Sequence, residues 1–258
     1  MHYYRATISY KGTHYLGWQW QPEGKTIQSE LNRALGILAK SDQVRSIGSG
    51  RTDTGVHALG QVARLEIPFA IEPTGLMKGL NSHLPDDIRI LSCVNSDADF
   101  HPTFQALSKQ YSYFFQLRSD ADPLVGEIMA HCPHDFDLAL AQKAAQAFVG
   151  EHDFLNFYTQ GTEVSSTVRR VLSCEVIHHP AAPGVFEGRG EHYEIRVYGN
   201  GFLKQMVRLM VGAIWNAARG KINAQDIARA LEAKTSFRLS AVAPPEGLYL
   251  MQVVYPSN

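Results

Sequence analysis

Cysteine is scarce: only Cys93, Cys132 and Cys174 occur, each alone in its stretch of sequence. Without a C-x-x-C pair to bind zinc or cycle a disulfide, the three read as reduced thiols, and a disulfide scaffold or zinc ribbon is excluded. An excess of charge of one sign is lacking as well, since 24 Lys and Arg stand against 25 Asp and Glu for a formal net charge of −1. Any phosphate-binding face must therefore be a local patch. No segment approaches the roughly 20 apolar residues that span a bilayer. Met1-His2-Tyr3-Tyr4-Arg5 has no basic stretch leading into an apolar run, so a cytoplasmic setting without membrane partners is expected. What is present, 45% apolar and 19% charged residues, is the balance of an ordinary folded protein rather than a disordered one.

Periodicity organises the chain into two similar halves. Tyr4, Ala6, Ile8 and Tyr10 alternate with Tyr3, Arg5, Thr7 and Ser9, which predicts a half-buried strand. A helix follows Thr26, a candidate N-cap, with Ile27, Leu31, Ala34, Leu35 and Leu38 on one face. Strands are predicted at 44–47, 61–67 and 88–94, with a short helix opening at Pro73. That order, β-α-β-β-α-β, is the ferredoxin-like unit. The second half repeats it with a strand at 111–117, a helix at 138–149 ended by Gly150, strands at 168–177 and 193–197, an amphipathic helix at 203–219 ended by Gly220, and a strand at 248–254. An extra helix is capped by Asn223. The expected fold is α+β: two ferredoxin-like halves, residues 1–104 and 105–258, with joined, mainly antiparallel sheets and a cleft between them. Asp99–Leu107 reads as the junction, and Pro180–Gly190 as a mobile hairpin loop.

The stretch Gly48-Ser49-Gly50-Arg51-Thr52-Asp53-Thr54-Gly55-Val56-His57-Ala58 packs glycines, an Arg, an Asp and a His between two strands. It reads equally as a glycine-rich hairpin and as a functional loop on a rigid scaffold. Asp53-Thr54-Gly55 also invites an aspartic-protease reading, which needs a second such triplet or a homodimer. No second triplet exists in the chain, and Arg51 nearby would hold Asp53 ionised. His57 is assigned a backbone hydrogen bond rather than catalysis. His131-Cys132-Pro133-His134 lacks partner ligands at metal-binding spacing, so no metal is expected. Basic clusters fall at Arg169-Arg170, at Arg189 and Arg196, and at Lys204 with Arg208. Charge patterning alone does not separate an RNA contact from a solvated face.

Gly50-Arg51-Thr52-Asp53 with Gly55-Val56-His57-Ala58 and Gly60-Gln61-Val62 resembles the catalytic loop of the TruA-type tRNA pseudouridine synthase family. Tyr10-Lys11-Gly12-Thr13, Gly17-Trp18-Gln19, Leu84-Pro85, Phe100-His101, Lys109-Gln110-Tyr111, Gly150-Glu151-His152-Asp153-Phe154, Val168-Arg169-Arg170, Gly201-Phe202-Leu203 with Met206-Val207-Arg208, and Ala243-Pro244-Pro245-Glu246-Gly247-Leu248 resemble further family motifs, in order. Thr54, Arg64-Leu65 and Pro102-Thr103 depart from the family's usual residues.

The resemblance implies a cofactor-free isomerisation of uridine to pseudouridine at tRNA positions 38, 39 and 40, by a homodimer in which one tRNA contacts both subunits. It implies that Asp53 is the catalytic carboxylate, adding to C6 of the uracil or C1′ of the ribose, and that Arg208 meets it and keeps it charged. By the same resemblance Arg51 enters the stem left by the extruded base, Tyr111 stacks on the uracil and Leu248 forms an apolar wall. Arg169, Arg170 and Lys204 are candidate tRNA contacts. A protein that binds RNA without catalysis is the rival reading, but it would tolerate loss of Asp53, Arg51 and Arg208, all of which are present.

Overall fold

A computed structural model describes residues 1–117, 119, 121–161, 164–180, 190–233, 235 and 237–256. The chain divides into two compact units, one formed by Met1–Leu107 with Tyr249–Asn258 and the other by Ser108–Leu248. The observed class is the expected one, α+β with mostly antiparallel strands.

In the first unit β1 (His2–Tyr10) lies between β4 (Ile88–Asn95) and β3 (His57–Ile67), antiparallel to both, and β2 (Arg45–Gly48) pairs with the other edge of β3. The order β4-β1-β3-β2 is ferredoxin-like. Alternation works as expected: Tyr4, Ala6, Ile8 and Tyr10 are buried. Helix α1 (Ile27–Ala39) buries Ile27, Leu31, Ala34 and Leu35, and α2 (Pro73–His83) buries Leu76 and Leu80. Helix α1 starts where it does because the Thr26 side chain accepts the Ser29 N–H at 3.0 Å while Ser29 Oγ accepts the Thr26 N–H at 3.0 Å. This reciprocal cap satisfies two otherwise orphaned donors.

The last strand, β10 (Leu248–Val254), was expected to complete the second half, yet from Tyr249 onward it groups with the first unit. Tyr249 and Leu250 pair in parallel with His57 and Ala58 of β3. The Leu107 N–H also donates to the Val254 carbonyl at 2.8 Å, so the first unit extends through Leu107 rather than ending at 104. The same pairing explains why β3 begins at His57, four residues ahead of the stretch whose alternation marks it. Gly60 permits the close approach, since a Cβ there would lie 2.3 Å from the Met251 carbonyl oxygen.

In the second unit β5 (Ser108–Leu117), β9 (His192–Gly199), β8 (Val168–His179) and β7 (Gly150–Asp153) form an antiparallel sheet in that order, and β6 (Ala130–Cys132) runs parallel to β5. Strands β6 and β7 were not expected. At three and four residues they are too short for alternation to register. The helices are α3 (Leu138–Gln146), α4 (Met206–Ala218) and α5 (Ala224–Glu232), the last capped by Asn223 as expected, through the N–H groups of Gln225 and Asp226. The expectation of an amphipathic helix at 203–219 is corrected. Helix α4 starts only at Met206, after Gln205 at φ +59°, and all thirteen of its residues are buried. Segment 239–243 covers it, with Asn216 Nδ2 donating to the Leu239 carbonyl and Ser240 Oγ to that of Leu209. The loop expected at 180–190 lies, from 181 to 189, outside the described residues. Among the described residues no helix is long and apolar enough to cross a membrane.

Candidate active site

Two edges meet on β3. Strand β2 covers it from Ala63 to Glu66, β10 from His57 to Ala58, and the segment 49–56 is the chain that leaves one edge partner and returns as β3. Its anchors are numerous. Ser49 Oγ donates to Gln61 Oε1 at 2.6 Å, and Gln61 Nε2 donates to the Gly50 carbonyl at 3.0 Å. Thr52 is buried between exposed Arg51 and half-buried Asp53, its hydroxyl 2.9 Å from that of Tyr10. Its carbonyl accepts the Trp18 N–H at 3.1 Å. Burial pushes the Tyr10 phenol up to about 12, against the lowering effect of its bonds to Thr52 and Gln61. It therefore stays neutral as a fixed partner for Thr52.

A turn then closes, with the Val56 N–H donating to the Asp53 carbonyl at 3.1 Å and the Gly55 N–H to that of Tyr15 at 3.3 Å. Of the loop's glycines, Gly55 adopts positive φ, +79°. His57 serves the backbone, as expected from sequence. Its Nδ1 accepts the Gly12 N–H at 3.0 Å, and its ring stacks on Tyr249 at 4.6 Å. Asp53 and Arg51 thus sit on a loop held by Tyr10, Tyr15, Trp18 and Gln61, the preorganisation that a reacting group requires.

The other expected residues all lie in the second unit. Tyr111 is on β5, buried to 8% exposure, with its ring edge-on to Phe202 at 5.2 Å. Tyr113 and Phe115 share its strand face but pack into the core against Trp215. Lys109 occupies the same face two residues earlier, and burial holds its ammonium down to about 8. The loop after β9 carries Lys204 and borders the stretch of β8 that holds Arg169 and Arg170. The Arg170 carbonyl accepts the Asn200 N–H at 3.0 Å, a Cβ at Gly201 would be 3.9 Å from Arg169 Nε, and the Lys204 carbonyl accepts the Thr159 N–H at 3.1 Å.

Arg208, in the first turn of α4, is 9% exposed rather than a surface cation. Its Nε donates to the Ala243 carbonyl at 2.7 Å, while the Ala243 N–H donates back to the Arg208 carbonyl at 3.2 Å. The Tyr113 hydroxyl donates to the neighbouring Pro244 carbonyl at 2.9 Å, so Arg208 and Tyr113 together fix the turn that leads through Gly247 into buried Leu248.

Phe202 and Ala243 both fall within family-like motifs of the sequence, but their contacts were not legible there: the packing of Phe202 against Tyr111 and the acceptance by the Ala243 carbonyl from Arg208 depend on partners that neither residue type advertises. Arg196 is engaged elsewhere, its Nε and Nη2 each 2.9 Å from the Glu194 carboxylate, and Arg189 lies outside the described residues. Among the described residues no group of three or more His, Cys, Asp or Glu is placed to hold a metal.

Residues 6–105 and 144–256 match a family model described as tRNA pseudouridine synthase. The chain is 38% identical over 258 residues to tRNA pseudouridine synthase A of Exiguobacterium sibiricum, covering 100% of this chain and 98% of that protein. It is also 38% identical over 253 residues to the protein of the same name from Listeria welshimeri, covering 98% of each. A Geobacillus relative of that name is 36% identical over 251 residues, with 97% of each covered.

Proposed function

The chain belongs to the family of tRNA pseudouridine synthases, an isomerase family, and from that premise we propose that it converts uridine to pseudouridine in the anticodon stem-loop of tRNA, at positions 38, 39 and 40. The observation that carries this reading is the anchored 49–56 loop, which presents half-buried Asp53 beside exposed Arg51 on a scaffold with little freedom to move.

The reaction breaks the ribose C1′ to uracil N1 bond, turns the base and forms a C1′ to C5 bond. The C5 proton is released to solvent and N1 gains one, so no electrons are exchanged and no redox partner is needed. Asp53 is the proposed nucleophile, either at C6 of the uracil or at C1′; in both cases the covalent adduct divides one difficult step into two. Arg208 is the proposed second catalytic group, desolvated and oriented through the Ala243 carbonyl. Tyr111, braced by Phe202, offers a flat ring to the extruded uracil. Leu248 supplies apolar surface, Arg51 enters the vacated stem, and Arg169, Arg170 and Lys204 hold phosphates. The working form is proposed to be a cytoplasmic homodimer that binds tRNA across both subunits.

The test is tritium release from unmodified tRNA carrying [5-³H]uridine, followed by mapping of the modified positions. Wild-type protein is expected to release tritium and Asp53→Asn to release none while melting at the wild-type temperature. A folded wild-type protein that binds tRNA but releases no tritium would overturn the reading.

A further inference from the structure

Phe104 is 81% exposed, and it is not on a loose segment. His101 Nδ1 accepts the N–H groups of Thr103 and Phe104 at 3.3 and 3.4 Å, and the His101 carbonyl accepts the Gln105 N–H at 3.1 Å. The turn is tied down from outside at three further points. The Tyr255 hydroxyl donates to the Pro102 carbonyl at 2.7 Å, Thr103 Oγ1 donates to the Gly48 carbonyl at 3.0 Å, and Arg64 Nη1 donates to the carbonyls of Ala98 and Phe100 at 2.7 and 2.9 Å. Within it the His101 and Phe104 rings stack at 4.2 Å and 29°. One face of Phe104 is thus backed by an imidazole and the other meets solvent.

A single exposed apolar side chain is ordinary. A rigidly held aromatic with one face supported and one open is half of a stacking sandwich. We propose that the open face of Phe104, backed by His101, is a stacking site for an unpaired nucleobase of the RNA substrate, next to the loop that carries Arg51 and Asp53. The reading rests on the function proposed above.

Position supports it: Thr103 holds the turn against Gly48, three residues before Arg51 in the chain. Chemistry supports it as well. Extruding a base for reaction strips its neighbours of a stacking partner, and proteins replace that partner with aromatic rings, which accept any base because every base has a π face. Two of the residues that depart from the family's usual pattern, Arg64 and Thr103, are themselves braces of this turn.

The experiment compares the full-length wild type with Phe104→Ala, Phe104→Leu and Phe104→Trp in single-turnover tritium release, using transcripts that carry 2-aminopurine on either side of the target uridine. The Ala and Leu variants are expected to raise the half-saturating enzyme concentration about tenfold. The effect should lie in half-saturation rather than in the maximal rate, with an unchanged melting temperature, and Trp should restore wild-type behaviour. Binding-induced quenching of 2-aminopurine should be present with wild type and Trp and lost with Ala and Leu. A Leu variant equal to wild type would overturn the stack, since only an apolar contact would then be needed. A change in the sedimentation of RNA-free protein on Phe104→Ala would overturn it in favour of a contact between copies of the chain. Wild-type release with unaltered half-saturation in Phe104→Ala sinks this inference alone, whereas no release from the wild type sinks the functional reading and this one with it.

Discussion

At the scale of single residues, the candidate nucleophile depends on neighbours that never meet substrate. Gly17 illustrates this. Its φ is +89°, and a Cβ there would lie 2.3 Å from the Thr52 carbonyl oxygen, the acceptor for the Trp18 N–H. Gly17→Ala therefore combines an unfavourable backbone region with a collision against main chain that cannot swing aside. The expected outcome is a loss of about 2 kcal/mol or more in urea unfolding. Tritium release should also fall in whatever fraction remains folded, because displacing Thr52 displaces Asp53 beside it. Unchanged stability would show that the 49–56 loop yields to Gly17, and that the anchoring described here is weaker than its hydrogen bonds imply.

At the scale of elements, the centre of the β5-β9-β8 sheet carries a buried polar cluster on the face opposite Tyr113 and Phe115. Glu194 of β9 accepts from Ser112 Oγ of β5 at 2.6 Å, from Arg196 twice at 2.9 Å, and lies 3.1 Å from His179 Nε2 of β8. Burial alone would push this carboxyl up, but the Arg196 guanidinium and the Ser112 and His179 hydrogen bonds outweigh it and leave the pKa below the ordinary carboxylate value.

A group depressed in the folded state stabilises above its unfolded value, near 4.3, and loses that contribution as pH falls through the folded value. Glu194→Gln is therefore expected to lower stability by about 1–3 kcal/mol at pH 7. The gap from wild type should narrow as pH falls below the unfolded value, where the unfolded chain takes up the proton first, and level off once the native carboxylate has taken up its own. Urea midpoints of both proteins at pH 7 and pH 3.5 provide the check, and a gap that stays constant would mean the cluster contributes shape rather than charge.

At the scale of the whole molecule, a net charge of −1 has to be reconciled with a polyanionic substrate. Lys204 lies on the loop after β9, which the Arg169 side chain and the Arg170 main chain border, with Arg170 and Lys204 exposed and Arg169 partly desolvated, which lowers its pKa. Alanine at each position should weaken tRNA binding and make the dependence of log affinity on log salt shallower by about one phosphate contact. Turnover of bound tRNA should be largely preserved. Three unchanged slopes would remove these residues from the RNA surface. Pairing two chains in a homodimer would double whatever patch exists without changing the nearly neutral balance of each chain.

Where residue type and spacing decided the outcome, the sequence was enough. Period-2 alternation marked β1, Thr26 and Asn223 marked the starts of α1 and α5, and the Gly-Arg-Thr-Asp stretch marked the loop that carries Asp53. Tertiary structure alone decided what depends on partners distant in the chain. Strand β10 reads as the end of the second half, yet Tyr249 and Leu250 pair with His57 and Ala58, because hydrogen bonding between strands is blind to chain distance. Helix α4 reads as one-sided and is covered on every side, because 239–243 returns over it. Arg64 and Thr103 read as departures from a motif, and only folding reveals them as braces of one turn, since a side chain's acceptor is fixed by packing and not by its neighbours in sequence.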